Sequence, residues 1–123
     1  MNEEINDEQI IQKLSAWNCD IAGALPRFIN NKAFYCKLLR EVPEQENFFL
    51  LEKALNSGDL HTAFEQAHTL KGMLGNMGLT PMYDEACAVV EPLRSGKTDG
   101  VAAHFQILLE QKAKLEEILQ DSD

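Results

Sequence analysis

The sequence predicts an all-α protein, an antiparallel four-helix bundle with additional short N-terminal helices. Three observations point there. Apolar residues recur at three-and-four spacing, most plainly in Leu60, Ala63, Phe64, Ala67, Leu70 and Leu74. Gly and Pro interrupt that spacing at short intervals, as turns between helices do. No run of β-branched or aromatic residues alternates with polar ones, as a half-buried strand would require.

The first helix is expected over Asp7 to Trp17, with Ile10, Ile11, Leu14 and Trp17 on one face and Asp7 as its cap. A short turn of helix follows from Asp20 to Phe28, with Pro26 inside it. Asn30 or Asn31 caps a helix carrying Phe34, Tyr35, Leu38, Leu39 and Val42. Pro43 should break or kink it before the pattern resumes through Phe48, Leu51, Ala54 and Leu55. Ser57-Gly58 closes that segment. Asp59 then caps the central helix, which Gly75 and finally Gly78 terminate.

Thr80-Pro81 restarts the chain as a helix with a hydroxyl cap and a proline at the first helical position, and Met82, Ala86, Val89, Val90 and Leu93 line its buried face. Pro92 cannot donate a backbone hydrogen bond, so a bend or an early end is expected beside it. After the turn at Ser95-Gly96, Thr98 or Asp99 caps the last helix. Its apolar face is Val101, Phe105, Leu108, Leu109, Leu115 and Leu119, with Lys112 along it. Four substantial helices joined by short turns pack side by side in alternating directions, and the N-terminal pieces should cross one end.

At 123 residues, the chain is read as a single domain, 1–123, long enough for a genuine core. Hydrophobic residues at 45% and charged residues at 25% are the balance of a folded domain rather than of a disordered tail. Twenty acidic against eleven basic residues give a net charge of -9, which repels phosphate backbones and anionic lipid, so neither nucleic acid nor a membrane is an expected partner. Charge is concentrated at the ends, in Glu3, Glu4, Asp7 and Glu8 and in Glu116, Glu117, Asp121 and Asp123, whereas Leu60 to Pro81 is nearly neutral.

No apolar run approaches the ~18 residues of a membrane span. The start, Met-Asn-Glu-Glu, lacks the pattern of a secretory signal, so the cytoplasm is expected. Met1 and a complete-looking bundle favour a free-standing or terminal domain, expected as a monomer. Cys19, Cys36 and Cys87 form neither a disulfide framework nor a metal knuckle and are read as reduced thiols packed as small hydrophobes.

One segment carries chemistry: Ala67-His68-Thr69-Leu70-Lys71-Gly72-Met73-Leu74-Gly75-Asn76-Met77-Gly78. At ~100° per residue the buried stripe centres between Ala67 and Leu74, and His68 falls to one side, at the edge of the core and facing solvent. Gly72 and Gly75 leave bare the positions that would cover the imidazole. Glycine costs ~1 kcal/mol relative to alanine inside a helix, so two of them need a reason, and close approach of another surface is one. Lys71, three residues from His68, places an ammonium beside any charge carried on the ring.

Neutral imidazole, with a reference pKa of about 6.5, offers an unprotonated nitrogen near neutral pH and is nucleophilic without a separate base. Phosphoryl transfer fits these parts because it depends on positioning and charge compensation. The face offers no carboxylate cluster, so the metal such a reaction commonly uses would come from the partner.

Each of these residues also has an ordinary structural reading. A histidine beside a helical stripe, a lysine laying its stem over Phe64 and Leu74, and glycines that let helices approach are all common features of bundles. His61 and His104 take that reading: His61 lies on the same side as His68 and could touch a partner, and His104, beside Phe105, is expected to have no matching residue nearby. The joint spacing of His68, Lys71, Gly72 and Gly75 is what favours a site.

His68-x-Leu70-Lys71-Gly72 followed by Gly75 and Gly78 resembles the signature of the histidine-containing phosphotransfer (HPt) domain family. The resemblance extends from about Asp20, through Phe28 and Phe34-Tyr35-x-x-Leu38-Leu39, to Leu119. It implies a helical bundle in a two-component phosphorelay, with an exposed phosphohistidine that exchanges its phosphoryl group with aspartates of response-regulator receiver domains. His68 is then the phospho-acceptor, Lys71 stabilises charge, and Gly72 and Gly75 form the open docking surface. A histidine kinase or hybrid kinase stands upstream, no cofactor belongs to this chain, and Mg2+ is expected in the receiver. The chain has no kinase catalytic domain of its own.

Three other readings compete with it. A sensor-kinase dimerisation pair resembles a histidine followed by an acidic residue, whereas Thr69 follows His68 and no Gly-rich nucleotide loop is present. A metal or haem bundle lacks both Glu-x-x-His and Cys-x-x-Cys-His. The remaining alternative is a non-phosphorylated helical adaptor that binds receiver domains, against which stand the open imidazole and Gly72.

Overall fold

The computed structural model describes residues 3–120; Asp121 and Asp123, counted above in the acidic C-terminus, lie outside the described residues. Among these residues the chain forms seven α-helices and no strand: α1 (Glu3–Ala16), α2 (Ile21–Ala24), α3 (Lys32–Leu39), α4 (Asn47–Ser57), α5 (Leu60–Asn76), α6 (Thr80–Arg94) and α7 (Val101–Gln120). Two 3₁₀ turns, Leu25–Phe28 and Val42–Glu44, link the shorter pieces. No helix is long and apolar enough to cross a membrane.

Helices α4 to α7 are the expected four-helix bundle. α5 packs between α4 and α6, and α6 packs on α7. Short connections make neighbours antiparallel. Leu51 of α4, Leu70 and Leu74 of α5, Val89 and Val90 of α6, and Leu108 and Leu115 of α7 are fully buried, each contributing ~1.5–3 kcal/mol of hydrophobic stabilisation. Truncating one, as in Leu70→Ala, should cost roughly 2–5 kcal/mol because the surrounding helices collapse only partly onto the cavity.

The expected caps hold where a short polar side chain can turn back on the helix. Asp59 accepts from the Thr62 N–H at 3.1 Å and from its hydroxyl at 2.7 Å, and Asn31, not Asn30, accepts from the Phe34 N–H at 3.0 Å. Three others differ from the sequence reading. α1 begins at Glu3, so Asp7 caps nothing; it lies inside the helix, buried, with Arg40, the residue after α3, at 3.2 Å. Thr80 is the first residue of α6 rather than its cap, Leu79 occupies the cap position, and the Thr80 hydroxyl donates to the Gly78 carbonyl. α7 starts behind Gly100 rather than behind Thr98 or Asp99, with the Gly100 carbonyl accepting from the His104 N–H.

The prolines act through local geometry. Pro26 occupies the first turn of a 3₁₀ segment, where its missing N–H deprives nothing of a partner. Pro43 lies in the 3₁₀ turn between α3, which ends at Leu39, and α4, which starts at Asn47, so Val42 falls in that turn and not on the helix expected to carry it. Pro92 sits inside α6, which runs past it to Arg94 and ends at the expected Ser95-Gly96 turn.

The N-terminal elements clasp the end of the bundle where α5 turns into α6. The Asp20 N–H donates to the Gly78 carbonyl at 2.8 Å, and the buried Tyr35 hydroxyl donates to the Met77 carbonyl at 2.7 Å. The Arg27 guanidinium donates to the carbonyls of Gly75 and Asn76 at 3.1 and 3.0 Å. A helix leaves its last carbonyls without intrahelical partners, and this clasp supplies a cation and donors to those of α5. Gly78 has φ +73°, and a Cβ there would collide with the Asp20 carbonyl, so the clasp requires glycine at that turn.

Candidate functional site

α5 presents its solvent face beside α6. Ala63, Ala67, Leu70 and Leu74 point into the core, and His68, one step around the helix, is exposed as its spacing implies. Among the described residues no group hydrogen-bonds to either nitrogen of the His68 ring. Its ring lies close to that of Phe64, one turn earlier, at 5.7 Å between ring centroids and 37° between planes. Phe64 is half-buried, and the guanidinium of Arg94, at the end of α6, sits over its ring at 5.3 Å while donating to Glu91 at 3.2 Å.

Lys71 is half-buried and, among the described residues, its ammonium has no carboxylate partner. A cation left unpaired in a chain of net charge -9 is available to an incoming anion. Thr69, next to the imidazole, turns its hydroxyl back to the Glu65 carbonyl at 3.0 Å, which keeps it off the ring.

The two glycines differ. Nothing lies within 4 Å of where a Cβ on Gly72 would stand, so that position opens directly to solvent. At Gly75 a Cβ would stand 3.0 Å from two ring carbons of Tyr83. Gly75 therefore lets α6 come close to α5, which is the ordinary structural reading of such a glycine, and Tyr83 occupies space that the sequence alone leaves empty. Beyond it, a cleft of about 420 Å³ is lined by Asp20, Arg27, Gly75, Gly78, Thr80, Tyr83 and Asp84.

The other histidines stand apart. His61 faces Glu65 at 3.6 Å on the exposed surface of α5. His104 does have a match, which corrects the sequence reading: its Nδ1 is 2.7 Å from Glu85 of α6, making it a half-buried link between the last two helices. Among the described residues no cluster of three His, Cys, Asp or Glu side chains is arranged to hold a metal. The surroundings of His68 and Gly75 also include Phe64, Arg94, Tyr83 and Arg27, which the sequence motif does not mark. Only Phe64 carried a usable signal, its spacing of four from His68.

The family model of the Hpt domain matches residues 37–121, from within α3 through α7. This chain belongs to the Hpt domain family. The match begins later than the Asp20 start read from the sequence, and it contains all of α5. Hpt domains function in phosphorelays, where they interact with the receiver and kinase domains of two-component systems. Comparison with curated proteins finds no match, and comparison with solved structures finds none either.

Proposed function

We propose that this Hpt domain is a phosphorelay intermediate in which His68 accepts a phosphoryl group from a receiver-domain aspartate, or from a kinase, and passes it to the aspartate of another receiver. The observation that carries this reading is the exposed His68 imidazole, with no hydrogen bond to either nitrogen among the described residues, beside the open position at Gly72.

The lone pair of the unprotonated ring nitrogen attacks phosphorus as the bond from phosphorus to the aspartyl oxygen breaks, and that electron pair leaves with the carboxylate. The other ring nitrogen keeps its proton, so the ring becomes a phosphoimidazolium. Return of the group to a second aspartate reverses each change. Lys71 offers positive charge to the phosphoryl oxygens, an effect that grows when the docked partner excludes water. A Mg2+ ion held by the receiver would supply the remaining charge compensation. Gly72 lets the partner approach the helix backbone beside the ring.

The test is transfer from a receiver domain charged with acetyl phosphate. Wild-type protein should gain one phosphoryl group that is stable in base and labile in acid, and His68→Gln should gain none. Label on the variant, or an acid-stable ester, would sink the assignment. Binding of the receiver without any transfer to the wild type would favour the silent adaptor.

A further inference from the structure

We infer that Phe64 is a positioning residue for His68, setting the plane of the imidazole so that its reactive nitrogen points at the phosphorus of a docked partner. The inference rests on the phosphorelay reading above and adds the group that aims the nucleophile.

A histidine that works on a substrate is ordinarily oriented by a hydrogen bond from its second nitrogen to a carboxylate or carbonyl. His68 has no such bond among the described residues. The torsion that turns an imidazole is broad and shallow, so an exposed ring without support sweeps through many orientations. In-line transfer accepts only those in which the lone pair, lying in the ring plane, meets phosphorus at a separation of roughly 3–3.5 Å.

Phe64 supplies the missing support. It stands four residues earlier on the same flank of α5, with its ring centroid 5.7 Å from that of His68 and its plane tilted by 37°. Its own ring is held in turn, half-buried at the edge of the stripe with Arg94 over it at 5.3 Å. Glu91 fixes that guanidinium through a 3.2 Å hydrogen bond. A ring contact restricts the imidazole plane and leaves both nitrogens free, whereas a hydrogen-bonding partner would occupy one of them. For a group that must take up a phosphoryl and release it again, an orienting contact that does not bind nitrogen is the suitable kind.

The experiment compares wild type, Phe64→Leu, Phe64→Tyr and His68→Gln with two donors. One is a receiver domain charged with acetyl phosphate, which presents phosphorus in a fixed direction. The other is phosphoramidate, which approaches from any direction. Phe64→Leu keeps apolar bulk and should melt near wild type. Its maximal transfer rate at saturating receiver should fall about tenfold, with half-saturation unchanged, while labelling by phosphoramidate stays within about twofold of wild type.

In the same variant the ring C–H resonances of His68 should lose the shift imposed by the aromatic neighbour, and Phe64→Tyr should restore both shift and rate. Should the leucine variant prove unstable, Phe64→Met is read in its place. Wild-type transfer by the leucine variant would overturn the inference. So would an equal loss with both donors, or a loss that tyrosine does not rescue, since those mark general damage to the fold. Labelling of His68→Gln would instead remove the phosphorelay reading beneath it, which keeps the two failures distinct.

Discussion

Tyr83 lays its ring against the bare flank of Gly75, so close that a Cβ on the glycine would stand 3.0 Å from two of the ring carbons. Gly72, nearly one turn earlier on the same helix, faces open space. Two glycines that look equivalent in the sequence thus have different jobs, one admitting a neighbouring helix and the other leaving the surface clear. Gly72→Ala should raise stability by up to ~1 kcal/mol through helix propensity and slow transfer from a receiver. Gly75→Ala should gain less or lose, because the Tyr83 ring must shift, and in a Tyr83→Ala background the deficit should disappear. A double-mutant cycle by thermal melting, with transfer rates alongside, checks both statements; equal gains at the two positions would contradict them.

Lys71 gives a sharper test of charge. Its ammonium has no carboxylate partner among the described residues, so Lys71→Met removes positive charge while keeping a flexible apolar stem. The variant should melt within a degree or two of wild type and transfer several-fold to tens-fold more slowly at low salt, with the gap narrowing as salt is added. An unchanged rate at low salt would leave Lys71 as a packing residue only.

What the sequence made legible was whatever is local to a helix. The stripe Ala63, Ala67, Leu70 and Leu74, the caps Asp59 and Asn31, and the lateral exposure of His68 all follow from spacing along one element, and all are realised. What was hidden depends on which elements meet. Arg27 reaches the Gly75 carbonyl across 48 positions of sequence, and Glu85 meets His104 across 19. Nothing in either residue's neighbourhood along the chain announces its partner. Asp7 illustrates the same limit from the other side, since a carboxylate near a helix start looks like a cap until α3 brings Arg40 to it.

The His104 link predicts a structural phenotype without a functional one. Its 2.7 Å contact with Glu85 joins α6 to α7 in a half-buried setting, so His104→Ala should destabilise the bundle by about 1 kcal/mol. Phosphoryl acceptance at His68 should persist at temperatures well below melting. Denaturant titration and receiver-dependent labelling of the same preparation separate the two effects; loss of labelling in a fully folded variant would place His104 in the transfer machinery after all.

The buried thiols predict how stability changes at high pH. Burial, with the charge of Asp7 next in importance, pushes Cys36 up to about 12, and burial pushes Cys19 up to about 11, against an ordinary value of 9.0 for each. In the folded protein both keep their protons above pH 9, while in the unfolded chain they lose them. The unfolded state therefore binds fewer protons over that interval, and stability present below pH 9 declines as pH rises through about 11 and 12. Each thiol adds a slope on the order of 1 kcal/mol per pH unit. Tyr35, raised mainly by burial, acts in the same direction. Denaturant midpoints at roughly pH 8, 9, 10 and 11 should fall less steeply for Cys36→Ala than for wild type. At the start of that range Cys19 and Cys36 are buried and protonated, whereas Cys87 is only half-buried, so iodoacetamide should modify Cys87 first, as read by peptide mass. If the wild-type and Cys36→Ala midpoints fall in parallel, the protonated thiol of Cys36 is not a source of the native state's alkaline sensitivity.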